Sequence, residues 1–145
     1  MKLRTIGYEA ATQGAVIAAL RAAKVALVID VRAVAASRRA GFSKRVLAAS
    51  LAEAGIDYAH LRALGTPKPG RQAARAGRIA EMEAIYRAHL AESEAQLALA
   101  EALEMARQRP AALLCYEAEA ADCHRRIVAD ELETMGSFKV EDLKP

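Results

Sequence analysis

The sequence contains no tryptophan, four tyrosines and two phenylalanines, so aromatic residues make up only 4% of it. A core of that composition has to be built from alanine and aliphatics. Base-stacking platforms for nucleic acid, which need several exposed rings, have few candidates. Two cysteines are too few for a disulfide framework. No apolar run approaches the roughly 18 residues of a membrane span, and no charged-then-apolar leader stands ahead of the first strand signal. These absences point to a reduced, cytoplasmic protein with no membrane association. No internal repeat is visible, and alanine richness is the one low-complexity feature.

The 145 residues, 54% of them apolar, suffice for a single domain spanning 1–145 with a proper core. The net charge of +3 conceals an asymmetry: residues 1–80 hold 14 Lys/Arg against 4 Asp/Glu, and residues 81–145 hold 7 against 14. One reading is a solvated acidic helix pair in the second half. The other is a basic face, built from the first half, that meets an anionic ligand.

Lys2 to Tyr8 reads as a first strand. Thr12 then caps a helix running to about Lys24, with Val16, Ile17, Leu20 and Ala23 at helical spacing. Ala26 to Val31 is a nearly continuous aliphatic run, the pattern of a strand buried on both faces of a parallel sheet, and it leads into Arg32. A loop from Ala33 to Phe42 contains Ser37-Arg38-Arg39, and Ser43 caps a helix over Lys44 to Ala54 that Gly55 terminates. Ile56 to Leu61 is a short strand carrying His60. Leu64 to Arg78, with two prolines, three glycines and a run of basic residues, reads as a mobile or substrate-ordered loop. Ile79 to Arg109 is helical, and the capping box Ser93-x-x-Gln96 divides it near Glu92. Pro110 precedes a strand to Cys115, a helix covers Ile127 to Met135, and Ser137 to Val140 forms a last short strand.

Such alternation predicts an α/β fold: an open, mostly parallel sheet of four or five strands with helices on both faces, a Rossmann-like three-layer sandwich joined by right-handed crossovers. The carboxyl ends of its strands share one edge, so Tyr8, Asp30, Arg32, His60, Cys115 and Glu117 are expected to meet there.

Both cysteines lie within Leu113 to Arg126. With Asp122 as N-cap of the following helix, Cys123 and His124 would occupy its first turn, where partial positive charge and the adjacent Arg125 and Arg126 can lower a thiol pKa. Strand, reactive turn and helix N-terminus is how open α/β sheets build sites. Cys115 or Cys123 is then a candidate nucleophile, Glu117 a general acid or base, and His124 a base or anion ligand. Each has a plain structural alternative: free cysteines are commonly buried in cores, the carboxylate can simply neutralise Arg32 or Arg125, and the histidine can cap a helix. Asp30 reads as an orienting partner for an arginine. Arg32, Arg38, Lys44, Lys68 and Arg125 suit an anion through charge-assisted hydrogen bonds, with Tyr8, Ser37 and His60 completing the binding set. Cys115, Cys123, His124 and His60 have metal-ligand chemistry, but their spacing matches no common zinc pattern, so no metal and no cofactor is assigned.

The segments Thr5-Ile6-Gly7-Tyr8-Glu9, Asp30-Val31-Arg32, Ser37-Arg38-Arg39, Phe42-Ser43-Lys44, Tyr58-x-His60, Leu64-Gly65-x-Pro67-Lys68 and Cys115-x-Glu117-x5-Cys123-His124-Arg125 occur in that order. As a set they resemble the motif series of the bacterial and archaeal family catalogued as domain of unknown function 488, over about residues 3 to 132. The chain carries Ala10, Ala35 and Ala120 where that family has a glycine and two prolines. The resemblance implies a shared polar site and a link to nucleic-acid metabolism. Asp-Val-Arg after a second strand is also similar to the sulfur-transferring rhodaneses, but their Cys-x-x-Gly-x-Arg loop is missing around Cys115, so that likeness is an analogy only.

Three functions follow as expectations. The first is an enzyme acting on a phosphate-bearing substrate, a nucleotide or nucleic acid, with Cys115, Glu117, Cys123 and His124 doing the chemistry. The second is a non-catalytic nucleic-acid or polyanion-binding module using the same basic edge. The third is an interaction protein whose acidic helices meet a partner or a second copy, as in a homodimer.

Overall fold

The computed structural model describes residues 1–145, in which five strands alternate with six helices. In chain order they are β1 Lys2–Gly7, α1 Gln13–Ala22, β2 Leu27–Asp30, α2 Lys44–Glu53, β3 Asp57–His60, α3 Lys68–Arg75, α4 Ile79–Leu90, α5 Ser93–Gln108, β4 Ala111–Cys115, α6 Arg125–Gly136 and β5 Lys139–Leu143. The sheet runs β3-β2-β4-β1-β5, and every pairing is parallel. This is an α/β fold of the three-layer type, with no antiparallel edge.

Each face of the sheet has its own core. On one, Val16 and Leu20 of α1 and Leu47 and Leu51 of α2 pack against Ile6, Val28 and Leu114. On the other, α4, α5 and α6 bring Met82, Tyr86, Leu99, Ile127 and Leu132 onto Leu3, Ile29 and Leu113. Strands β2 and β4 are buried at every position, which is why they read as unbroken apolar runs. The alanine richness has a packing use: Ala95, Ala98, Ala102 and Ala106 form the buried stripe of α5. No helix is long and apolar enough to cross a membrane.

Several local expectations need correction. Residues 68–75 are helical, not a mobile loop. Pro67 sits at the N-cap and Pro69 in the first turn, where a missing N–H costs nothing, and Gly77 with φ 78° follows the end. The prolines and glycines punctuate a helix instead of preventing one. Asp122 is not the cap of α6: it closes a short 3-10 turn, Cys123 is extended, and the helix begins at Arg125 with His124 at the N-cap position. The division of the long helical stretch near Glu92 holds, but Glu92 is the cap residue and the Gln96 amide donates to the Leu90 carbonyl. The last strand lies at 139–143, two residues later than read, because Ser137 takes a left-handed conformation. There Glu141 and Asp142 meet Arg4 and Thr5 of the neighbouring strand.

Candidate functional site

The connections leaving β1 and β2 pass to the α1–α2 face, whereas those leaving β3 and β4 pass to the face of α4, α5 and α6. Chains therefore diverge on either side of the β4 carboxyl end, and open parallel sheets bind ligands at such a switch point. Gly7 and Cys115 are register partners at that end. The β1 and β4 exits are laced together: the Tyr8 and Glu9 amides donate to the Tyr116 carbonyl at 3.0 and 2.8 Å, and the Ala118 amide donates to the Glu9 carboxylate at 3.1 Å. A Cβ on Gly7 would lie 1.8 Å from the Glu117 carbonyl oxygen, so only glycine permits this approach.

Beside the switch point lies a closed polar network. Asp30, 0% exposed, and Arg32, 5% exposed, form a bidentate pair: Nε donates at 2.9 Å to one carboxylate oxygen and Nη2 at 2.7 Å to the other. Nη1 donates to the Tyr8 hydroxyl at 3.0 Å and to the Phe42 carbonyl at 2.7 Å. The Arg32 amide donates back to Asp30, and the Tyr58 hydroxyl donates to the same carboxylate. Burial works against the Arg32 charge, but the Asp30 hydrogen bonds outweigh it and raise its pKa. His60 takes no part in the cleft; its Nε2 meets the Arg32 carbonyl at 2.7 Å.

The second network contains the thiols. Both cysteines are free and buried. His124 Nε2 donates to the Val31 carbonyl at 2.7 Å, which leaves Nδ1 facing Cys123 Sγ at 3.6 Å and Cys115 Sγ at 3.8 Å. The Tyr86 ring, anchored by its hydroxyl on the Leu64 carbonyl, packs 5.0 Å from the imidazole and holds its plane. Glu117 stands 3.5 Å from Cys115 Sγ. Burial, followed by the Cys123 charge, pushes the Glu117 carboxyl up to about 7. For Cys123, burial opposes ionisation, but the Cys115 hydrogen bond and the His124 and Arg125 charges together hold it well below the usual thiol range. Cys115 shifts up, through its hydrogen bond to Cys123 and then burial. His124 moves up as well: desolvation opposes its charge, and the neighbouring Cys123 outweighs it. Cys115, Cys123 and His124 are also the residues able to hold a metal, their donor atoms lying within 4.8 Å of one another.

A cleft of about 1030 Å3 opens over this network. Its lining includes Tyr8, Arg32, Ser37, Arg38, Cys115, Glu117, Cys123 and His124, together with Arg71 and Arg75 of α3 and the acidic residues Glu9 and Asp122. The family model described as "Domain of unknown function DUF488" matches residues 12–132. The chain belongs to this family. No curated protein and no solved structure matches it.

The DUF488 match spans every motif from Asp30 to Arg125, yet the structure sorts their residues unevenly. Lys44 and Lys68 are exposed first residues of α2 and α3 and do not line the cleft. Arg125 is 1% exposed and bound to the Glu117 and Ala118 carbonyls at 2.5 and 3.2 Å. It braces the turn that carries Glu117 and does not face a ligand. Ser37 both lines the cleft and ties its loop, exchanging hydrogen bonds with Ser43. Arg39 fastens the same loop to the Glu9 and Ala11 carbonyls. Arg71 and Arg75 line the cleft and lie outside the binding set expected from the sequence. Their i, i+4 spacing places both on one helix face, a signal hidden by reading 64–78 as a loop.

Proposed function

We propose that the protein is an enzyme acting on a phosphate-bearing substrate, a nucleotide or a short stretch of nucleic acid, in this cleft. The observation that carries the reading is the division of its charged walls. Arg38, Arg71 and Arg75 come from the β2–α2 loop and α3, whereas Glu9, Glu117 and Asp122 come from the loops leaving β1 and β4. Arg38 and Arg75 are exposed and stand in none of the ion pairs of the protein. A plain polyanion would meet Glu9, Asp122 and a half-ionised Glu117 on the second wall. A phosphate joined to a polar, hydrogen-bond-donating group suits both walls, which favours a nucleotide-like substrate over the polyanion-binding module. Cys115, Glu117, Cys123 and His124 supply the reacting groups on the floor, in a cytoplasmic setting that keeps the thiols reduced.

Fluorescence anisotropy with a labelled nucleotide and a labelled single-stranded oligonucleotide tests the reading. Losing hydrogen bonds to a charged phosphate, about 1.5–3 kcal/mol each, should make Arg38→Ala/Arg75→Ala at least about 10-fold weaker. Lys68→Ala, outside the cleft, should bind as the parent does. For the oligonucleotide, log Kd against log salt should change by about 0.7 per phosphate contact. No binding of either probe at low salt ends the proposal.

A further inference from the structure

We infer that Cys115, Cys123 and His124 hold one zinc ion at the floor of the cleft, with its fourth coordination position open toward the cleft. The inference rests on the cluster geometry alone; where it holds, Cys115, Cys123 and His124 act in the cleft as ligands of the ion, and Glu117 is the free reacting group beside them.

The distances are the first argument. Zinc bonds of about 2.3 Å to sulfur and about 2.05 Å to imidazole nitrogen put tetrahedral donors about 3.6 Å apart for S to N and about 3.8 Å for S to S. His124 Nδ1 lies 3.6 Å from one sulfur and 3.8 Å from the other, and no pair of the three donors exceeds 4.8 Å. Core packing alone does not require three donors at ligand spacing.

The orientation of the imidazole is the second argument. A backbone carbonyl can only accept, so the 2.7 Å contact between His124 Nε2 and Val31 fixes the proton on Nε2. In the neutral ring the Nδ1 lone pair then points at the sulfurs. Ligating histidines almost always anchor their other N–H in this way, which sets tautomer and ring plane. The Arg125 amide, 3.5 Å from Cys123 Sγ, supplies the amide-to-sulfur contact that steadies a ligating thiolate.

The donor chemistry selects the ion. Two sulfurs and an imidazole suit zinc, whereas magnesium and calcium take oxygen ligands. Binding displaces to solvent the two protons that Cys115, Cys123 and His124 hold between them, and Zn2+ with two thiolates and a neutral imidazole carries no net charge, which eases its burial. Three protein ligands with one open position is the pattern of reactive zinc sites, while structural sites close all four. Glu117 approaches Cys115 at 3.5 Å yet falls outside the mutually close donor group, so it lies beside the cluster without filling a ligand place. Both cysteines, His124 and Glu117 line the cleft, so a molecule in the cleft reaches the open position directly.

The test uses the full chain, kept reduced, stripped with chelator, equilibrated with zinc sulfate and desalted. Plasma mass spectrometry should find one zinc per chain. Co2+ in its place should give thiolate-to-cobalt charge-transfer absorption and the d–d bands of a tetrahedral complex, and Mg2+ should not be retained. Against a chromophoric chelator, Cys123→Ser and His124→Ala should each weaken zinc binding by at least about 100-fold. Glu117→Gln and Arg38→Ala/Arg75→Ala should keep one zinc, the latter while losing nucleotide binding, which separates a failure of this site from a failure of the phosphate reading. Parent protein that retains no zinc after desalting overturns the inference without any variant having to fold. Equal zinc retention by the parent, Cys123→Ser and His124→Ala overturns it too.

Discussion

Two buried polar networks stand side by side at the carboxyl edge of the sheet, and they are satisfied to different degrees. Around Arg32 the guanidinium spends its donors on Asp30, Tyr8 and Phe42, and Asp30 accepts from Arg32 and Tyr58. Around His124 one ring nitrogen is bonded to the Val31 carbonyl, but the contacts among Nδ1, the two sulfurs and Glu117 are sulfur distances of 3.5–3.8 Å, and the nearby Arg125 keeps Nε as the one buried side-chain N or O atom without a partner. Fully matched networks rigidify, whereas half-matched ones are costly and are kept where they serve a ligand or a reaction. The first network holds the loops of the cleft, and the second has unused bonding capacity.

The sharpest test of that contrast is Asp30→Ala. It leaves a buried guanidinium without its counter-charge, at a cost of about 3–5 kcal/mol. Calorimetry should show the melting temperature falling by about 10 °C or more. A fall of less than about 2 °C would erase the distinction between the two networks.

His124→Ala should come second. It strips a buried donor from the Val31 carbonyl, at about 1–3 kcal/mol, so its melt in metal-free buffer should lie between those of Asp30→Ala and the parent. A variant less stable than Asp30→Ala would make the thiol network the main brace and reverse the assignment.

Tyr58→Phe examines the first network through pH. Burial, then the hydrogen bond to Asp30 and its charge, raise the Tyr58 hydroxyl above its ordinary 10.0. A raised folded-state pKa gives stabilisation that is complete below about pH 10 and is lost as pH rises through the folded value. At neutral pH the variant should be about 1 kcal/mol less stable. Denaturant titrations above pH 10 should show the gap narrowing; a gap that widens there contradicts the bond.

Arg38→Ala should have the smallest effect on stability, within about 0.5 kcal/mol of the parent by urea unfolding, because its side chain is exposed and in no ion pair. A larger loss would place this arginine among the loop braces with Arg39.

Much of the fold was legible because the signals are local. The aliphatic runs of β2 and β4, Thr12 with its oxygen on the Ala15 amide at 3.1 Å, and Gly55 with φ 76° act within a few residues of themselves. The misread places have other causes. In residues 64–78, proline and glycine open and close a helix, and composition cannot distinguish that from a loop. At Asp122, a good capping residue precedes a cysteine whose extended backbone delays the helix to Arg125.

By itself the sequence determined the alternation of strand and helix, the meeting of Tyr8, Arg32, Cys115 and Glu117 around one strand edge, and the concentration of positive charge in the first half. All of these follow from periodicity, buried-strand composition and residue counts. Only the tertiary structure decided which cations are free and which are spent. Arg32 and Arg125 are committed to partners brought by other segments, and Lys44 and Lys68 stand outside the cleft. Of the cations lining it, Arg71 donates to the Thr66 carbonyl while Arg38 and Arg75 stand in no ion pair. It also decided that His124 turns Nδ1 toward two sulfurs, because the Val31 carbonyl that fixes the ring lies 93 residues away in the chain. Hydrogen bonds between such distant segments leave no periodic trace in a sequence, and their directions decide what the residues of the site can bind.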